Sequence, residues 1–207
     1  MYTYTNFPKL PPNIIQELYD WFDLNRPSLV PIEGFNHFKM LPKAHGHVDN
    51  EHPLTSELEN NLGVPTWKAI ELYGNTVCSF SIMPTPATVN RWIADNIPLT
   101  GVHASIQEFT NGKFFIPHRD LLRDVAYNYI LETGGDAVET CFYKPKPEFK
   151  HLDVTARTFI PYDRIDLVDS VIFESGQWHK IDVTNIHSVE NIDPTKRRLS
   201  LTLSIFN

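Results

Sequence analysis

His118, Arg119 and Asp120 stand in immediate succession at the end of the apolar run Lys113-Phe114-Phe115-Ile116-Pro117. In extended backbone, residues two apart share a face, so His118 and Asp120 can converge on one point while Arg119 turns away. An imidazole nitrogen beside a carboxylate oxygen makes two thirds of a mixed N/O metal site. The third ligand has to come from another strand, and His179 and His187 are the C-terminal histidines that could supply it. His187 lies in the β-rich run Ile-His-Ser-Val-Glu-Asn, eleven residues before Arg198. His179 follows Trp178 and reads more simply as a packed structural histidine. Arg198 and Ser200 share one face of an extended segment, and a guanidinium with a hydroxyl two residues on is a good receptor for a carboxylate. Two histidines and one carboxylate with open positions suit iron(II), and the Arg/Ser pair suits an anionic co-ligand. The plainer reading of each residue alone is a His–Asp hydrogen bond at a strand end, or a solvated strand face. The full set in its order favours the site.

The elements that must carry these residues are short. After Gly101, nine β-rich runs alternate with turns: residues 102–109, 113–118, 125–131, 139–143, 156–160, 169–174, 178–183, 186–192 and 197–206. Runs of this length without long helices between them indicate an antiparallel sandwich or barrel. In the last run Leu199, Leu201, Leu203 and Ile205 take one face, and Arg198, Ser200, Thr202 and Ser204 the other. A polar face there costs desolvation unless it meets water or a polar ligand. The first hundred residues look partly helical. Asn13, with Gln16 three residues on, reads as a capping box opening a helix whose Ile14, Leu18, Trp21 and Phe22 share a face. A short helix is expected from Ser56 to Leu62, ended by Gly63. A third helix begins with Thr85 as cap and Pro86 in the first turn, and aligns Val89, Trp92, Ile93 and Ile97. Strand-like stretches cover residues 66–74 and 76–83, and residues 25–51 show no regular pattern.

Composition narrows the function classes. The chain of 207 residues suits one domain, with residues 1–100 as a helical and β elaboration and residues 101–207 as the core. A net charge of −7 argues against a phosphate-backbone partner. Two cysteines without paired spacing suit a reducing compartment, and the N-terminus lacks a signal-peptide pattern. No apolar stretch reaches membrane-spanning length. The expectation is a cytoplasmic protein. No dinucleotide, Walker, Cys-x-x-Cys or nucleophile-elbow pattern occurs. The upstream stretch with His45, His47, Asp49 and His52 resembles the His-x-His-x-Asp-His motif of metallo-β-lactamase-like hydrolases. Asn50 stands where that motif needs a histidine, so it reads as a polar loop, placed as a lid near the site.

Taken together, Ile-Gln-Glu-Phe-Thr-Asn-Gly-Lys-Phe-Phe-Ile-Pro-His-Arg-Asp (residues 106–120) and Ile-His-Ser-Val-Glu-Asn-Ile-Asp-Pro-Thr-Lys-Arg-Arg-Leu-Ser (residues 186–200) resemble the Fe(II)- and 2-oxoglutarate-dependent oxygenases. The prolyl-hydroxylase-like and aspartyl/asparaginyl-hydroxylase-like branches are the nearest in pattern. Gly112, His118, Asp120, His187, Val189 and Arg198 carry the likeness, across a gap of 67 residues from Asp120 to His187. It spans Val102 to Asn207. It implies a double-stranded β-helix (jelly-roll) core with flanking helices. It further implies Fe(II) held by His118, Asp120 and His187, and 2-oxoglutarate anchored by Arg198 and Ser200, with Arg197 as the alternative anchor. O2 would be consumed and succinate and CO2 released, with ascorbate as a stimulant and a peptidyl or free amino-acid side chain hydroxylated. Phe109 stands where the prolyl-hydroxylase branch often has a co-substrate tyrosine, leaving Tyr127, Asn128 or Tyr129 to replace it. Asn128 and Tyr129 point to opposite faces, so only one of those two can be well placed. Arg123 is placed to hold substrate or a carboxylate behind the ligands. The rival readings are a non-catalytic jelly-roll binding module and a metal-cupin enzyme that does not use 2-oxoglutarate. Oligomeric state is not readable from the sequence.

Overall fold

A computed structural model describes residues 1–28, 30–32, 35–40, 62–65, 72–73, 76–120, 123–149 and 158–205. The His45/His47/Asp49/His52 loop lies outside them. So does the helix expected from Ser56, of which only Leu62 is described, and all but residues 72–73 of the 66–74 stretch.

The expected mainly-β jelly roll with flanking helices is what the chain forms. The strands are β1 (Tyr2–Tyr4), β2 (Val30–Ile32), β3 (Phe35–Met40), β4 (Val64–Pro65), β5 (Ser79–Pro84), β6 (Val102–Thr110), β7 (Phe115–His118), β8 (Val125–Thr133), β9 (Glu139–Pro145), β10 (Thr158–Phe159), β11 (Ile165–Val171), β12 (Trp178–Asp182), β13 (Ile186–Glu190) and β14 (Arg198–Ile205). The large sheet has the order β1-β12-β8-β14-β6-β5-β3-β2, and the small one β11-β9-β13-β7. Strands β6, β8, β12 and β14 fall in one sheet and β7, β9, β11 and β13 in the other, so the chain winds between two layers as a double-stranded β-helix. A two-stranded piece, β10 with β4, forms a separate ladder, its Phe159 packed with Phe115 and Ile116 of β7.

The N-terminal half extends the large sheet at both edges. β1 pairs with β12, and β5, β3 and β2 continue outward from β6, with β3 and β5 parallel. The stretch without a readable pattern therefore contains two strands and a 3₁₀ turn, Arg26–Ser28. The expected run at 169–174 is displaced toward its N-terminus in β11, which begins at Ile165.

Two helices, α1 (Pro12–Asn25) and α2 (Ala87–Asn96), cover the outer face of the large sheet. Ile14, Leu18 and Phe22 of α1, with Val89 and Ile93 of α2, pack on Ile106, Tyr129, Trp178, Leu199, Leu201 and Leu203. The helices start one or two residues away from the expected caps. Pro11 and Pro86 occupy the cap positions with no side-chain cap bond, because Pro supplies a pre-set φ and its missing N–H falls among the donors a helix leaves unused. Asn13 is therefore inside α1, and the Thr85 hydroxyl donates to Asn90 Oδ1 at 2.6 Å instead of capping.

Putting the leucine face of β14 under the helices turns its polar face inward. Arg198, Ser200, Thr202 and Ser204 are all buried between the sheets, each 5% exposed or less. Ahead of β7 the left-handed position belongs to Asn111 (φ 60°) rather than Gly112. Gly112 is needed for closeness: a Cβ there would lie 2.6 Å from Cys78 Cα and from the Val77 carbonyl carbon.

Candidate metal centre and its polar slot

His118 ends β7 and His187 sits in β13, and the two are register partners in the small sheet. Their rings lie 4.4 Å apart between centroids. Asp120 follows just beyond β7, where its backbone N–H donates to the Val183 carbonyl at 3.1 Å and pins the loop to the end of β12. One ligand atom from each of His118, Asp120 and His187 lies within 4.8 Å of the others.

The protonation pattern suits a cation. His118 Nδ1 lies 2.8 Å from the Ile116 carbonyl and His187 Nδ1 lies 3.0 Å from the Asn185 carbonyl. A carbonyl only accepts, so each Nδ1 carries the proton and each Nε2 keeps its lone pair for a ligand. Burial, then the charge of His118, holds the His187 pKa down to about 4, so His187 is neutral at neutral pH. Burial opposes ionisation of Asp120, but its contact with the His118 ring and the charge of Arg123 hold its carboxyl well below the usual carboxylate range. Asp120 Oδ1 faces His118 Nε2 at 3.4 Å, while Oδ2 is gripped by Arg123. Two imidazoles and one carboxylate fit a divalent transition metal with positions to spare.

A buried row of polar side chains, termed the polar slot, leads away from the triad along β14. Its order follows from register: Ser204 opposite Ala126, Thr202 opposite Asn128, Ser200 opposite Ile130, and Arg198 opposite Thr133. Arg123 marks the near end, because it binds both Asp120 and Ser204. Arg198 marks the far end. Its side chain is 4% exposed, and burial alone lowers its pKa to about 10. Nη1 donates to the Thr133 carbonyl at 3.4 Å, and among the described residues no carboxylate pairs with it. Arg197, the alternative anchor, points outward and is held by Glu132 and Asp23, both at 2.8 Å.

Halfway along the slot, His179, Asn128 and Thr202 are register neighbours on β12, β8 and β14. His179 Nδ1, Asn128 Oδ1 and Thr202 Oγ1 are buried and have no hydrogen-bond partner among the described residues. His179 Nε2 lies 3.1 Å from the Glu174 carbonyl and donates to it, leaving Nδ1 as an acceptor. Burial lowers the His179 pKa against that carbonyl, and the Arg198 charge lowers it further. His179 thus lines the slot as well as packing, its ring stacked 4.2 Å from Phe173. Sequence alternation along β14 already places Thr202 inward; His179 stands in the sequence only as the alternative third ligand, which the triad does not use.

Tyr127 is the residue that does not belong to the site. It sits on the outer face of β8 in the helix-covered cluster, 5.3 Å from the Phe7 ring. Tyr129 shares that face, against Trp178 at 5.2 Å. Their neighbour Asn128 faces the slot. Phe109, beside Arg198 in the register, joins Phe115 and Phe80 in an aromatic wall that reaches His118.

No protein-family model matches the sequence, and no curated protein matches it. Solved structures resemble it at low identity. A prolyl-4-hydroxylase from Pseudomonas putida is 14% identical over 100% of this chain and 92% of its own, with a TM-score of 0.47. A prolyl hydroxylase from Trichoplax adhaerens, in complex with a hypoxia inducible factor oxygen degradation domain peptide fragment, is 11% identical over 99% and 83%, with a TM-score of 0.49. An oxidoreductase of the 2OG-Fe(II) oxygenase family from Burkholderia pseudomallei is 13% identical over 57% of this chain, which spans 51% of that protein's length, with a TM-score of 0.33. The jelly roll rests on this chain's own strand order, and the site on its own side chains.

Proposed function

We propose that the protein is an Fe(II)- and 2-oxoglutarate-dependent dioxygenase that hydroxylates a peptidyl or free amino-acid side chain. One observation carries this reading. A buried cation with no acidic partner among the described residues closes a polar slot whose other end is a two-histidine, one-carboxylate triad. A buried, unpaired charge destabilises a fold, and an incoming carboxylate removes the penalty.

In this reading His118 and His187 hold the metal through Nε2, and Asp120 holds it through Oδ1. Arg198 and Ser200 take the far carboxylate of 2-oxoglutarate. Thr202 offers its partnerless hydroxyl, and Asn128 its amide N–H group, to the co-substrate, whose oxygens only accept. Phe115 and Phe109 keep water from the His118 side of the site. Bound iron, with 2-oxoglutarate and O2, supplies the oxidising chemistry, giving succinate and CO2 beside the hydroxylated product. The protein's share is to orient the reacting groups and keep them dry. The net charge of −7 favours a protein or small-molecule substrate over nucleic acid. No helix among the described residues is long and apolar enough to cross a membrane. Cys78 and Cys141 are unpaired and buried, with burial pushing both thiols up to about 12, which fits the proposed cytoplasmic setting.

The test is succinate formation from 2-oxoglutarate with Fe(II) and ascorbate across a panel of peptides and amino acids, with His118→Ala as control. Substrate-dependent succinate that vanishes in the variant supports the reading. Metal uptake without 2-oxoglutarate binding points to a metal-cupin enzyme, and neither to a binding module.

A further inference from the structure

The two oxygens of Asp120 have different surroundings. Oδ2 receives Arg123 Nε at 2.6 Å and Arg123 Nη2 at 2.5 Å, whereas Oδ1 faces only the triad side, 3.4 Å from His118 Nε2. The remaining guanidinium nitrogen, Nη1, donates to Ser204 Oγ on the inward face of β14. Ser204 is six residues along the same strand from Arg198, so the loop bearing Asp120 is braced against the strand that ends the slot.

We propose that Arg123, braced by Ser204, makes Asp120 a one-oxygen ligand and so keeps coordination positions open for the co-substrate. The inference rests on the metal-site reading above. A carboxylate free to rotate can grip a metal with both oxygens and occupy one more position. With Oδ2 held by two N–H groups of a planar fork, that second grip requires breaking two charge-assisted hydrogen bonds. Metal affinity alone would not favour this choice of residue. A guanidinium repels a nearby cation, and a neutral donor such as glutamine would orient the carboxylate without that repulsion. Arg123 therefore acts on how the metal is held more than on how tightly. It is a positioning residue, working through Asp120.

The test uses Co(II)-loaded full-length protein and compares wild type with Arg123→Gln, Arg123→Lys and Ser204→Ala. The visible absorption of bound Co(II) reports its coordination, and titration with 2-oxoglutarate reports the open positions. Arg123→Gln is expected to bind Co(II) at least as tightly as wild type, with an altered visible spectrum. Its 2-oxoglutarate affinity should be roughly 10-fold or more weaker, the usual reach of residues behind a metal ligand. Arg123→Lys, which keeps the charge but not the fork, should fall between the two. Ser204→Ala, which removes only the brace and leaves the fold intact, should shift both readouts in the same direction by less. Unchanged spectra and unchanged 2-oxoglutarate affinity in all three variants overturn the inference while leaving the metal site standing. So does a loss of Co(II) affinity that merely follows a loss of thermal stability in the metal-free protein. A wild type that takes up no Co(II) overturns the metal-site reading, and this inference with it.

Discussion

Replacing Arg198 by methionine should separate stability from function. Burial lowers the guanidinium's pKa from the usual arginine range to about 10. That difference corresponds to about 3 kcal/mol held against the folded metal-free protein at neutral pH, at 1.36 kcal/mol per unit. Methionine keeps much of the unbranched stem, removes the charge, and gives up only a 3.4 Å bond to the Thr133 carbonyl. The metal-free variant should therefore be more stable by about 1–3 kcal/mol, at roughly 2–4 °C in Tm per kcal/mol for a chain of this size. Its response to 2-oxoglutarate should fall. Metal-loaded wild type at 100 times its Kd gains about 2.7 kcal/mol from the ligand. Losing a buried charge-assisted pair costs about 2–5 kcal/mol, a Kd raised roughly 30-fold or more. At the same concentration the variant then gains about 0.9 kcal/mol or less. Thermal melts of the metal-free and metal-loaded proteins, with and without 2-oxoglutarate, read both effects. A variant less stable than wild type that keeps the full ligand increment would refute the argument that Arg198 is an unpaired cation waiting for an anion.

The other expectations test separate parts of the account. Asn128→Ala should weaken 2-oxoglutarate binding to the metal-loaded protein several-fold while Tyr127→Phe leaves it unchanged; calorimetric titration showing the reverse order would exchange their faces on β8. Gly112→Ala drives a Cβ into the backbone of residues 77–78 and should destabilise the fold by about 2 kcal/mol or more, as seen in the denaturant midpoint. Glu190, on the face of β13 opposite His187, takes hydrogen bonds from Ser188, Tyr162 and Tyr143 on one oxygen. Burial nevertheless raises its pKa above 4.5, those hydroxyls offsetting part of the rise. The folded state then keeps a proton that the unfolded chain has lost, so this carboxyl's contribution to stability falls as pH rises from 4.5 through its folded pKa. Glu190→Gln should lack that slope, and parallel pH profiles of the two proteins would show the carboxyl to be unshifted.

Much of the site was legible because β-strands repeat every two residues. His118 and Asp120 share a side, and the alternation in β14 puts Arg198 and Arg197 on opposite faces, while the choice between them comes from the register with β6 and β8. β8 defeats the same reasoning. Its outer face packs under helices and its inner face lines a polar slot, so aromatic Tyr127 and Tyr129 flank an inward Asn128 and hydrophobicity no longer tells inside from outside. His179 is similar: beside Trp178 it reads as packing, and only the register across β12, β8 and β14 brings it level with Asn128 and Thr202. The helix starts went astray by one or two residues because Pro11 and Pro86 fix the backbone where side-chain caps were expected. The large sheet's outer wing carried no readable pattern, since β2 has three residues and β3 pairs in parallel with β5 rather than with a sequence neighbour.

The most direct measurement is the visible spectrum of the protein mixed anaerobically with Fe(II) and 2-oxoglutarate. A metal-to-ligand charge-transfer band should develop in wild type, vanish in His118→Ala, and be lost in Arg198→Ala while persisting in Arg197→Ala. No band in wild type, with no iron retained, would contradict the account at its centre.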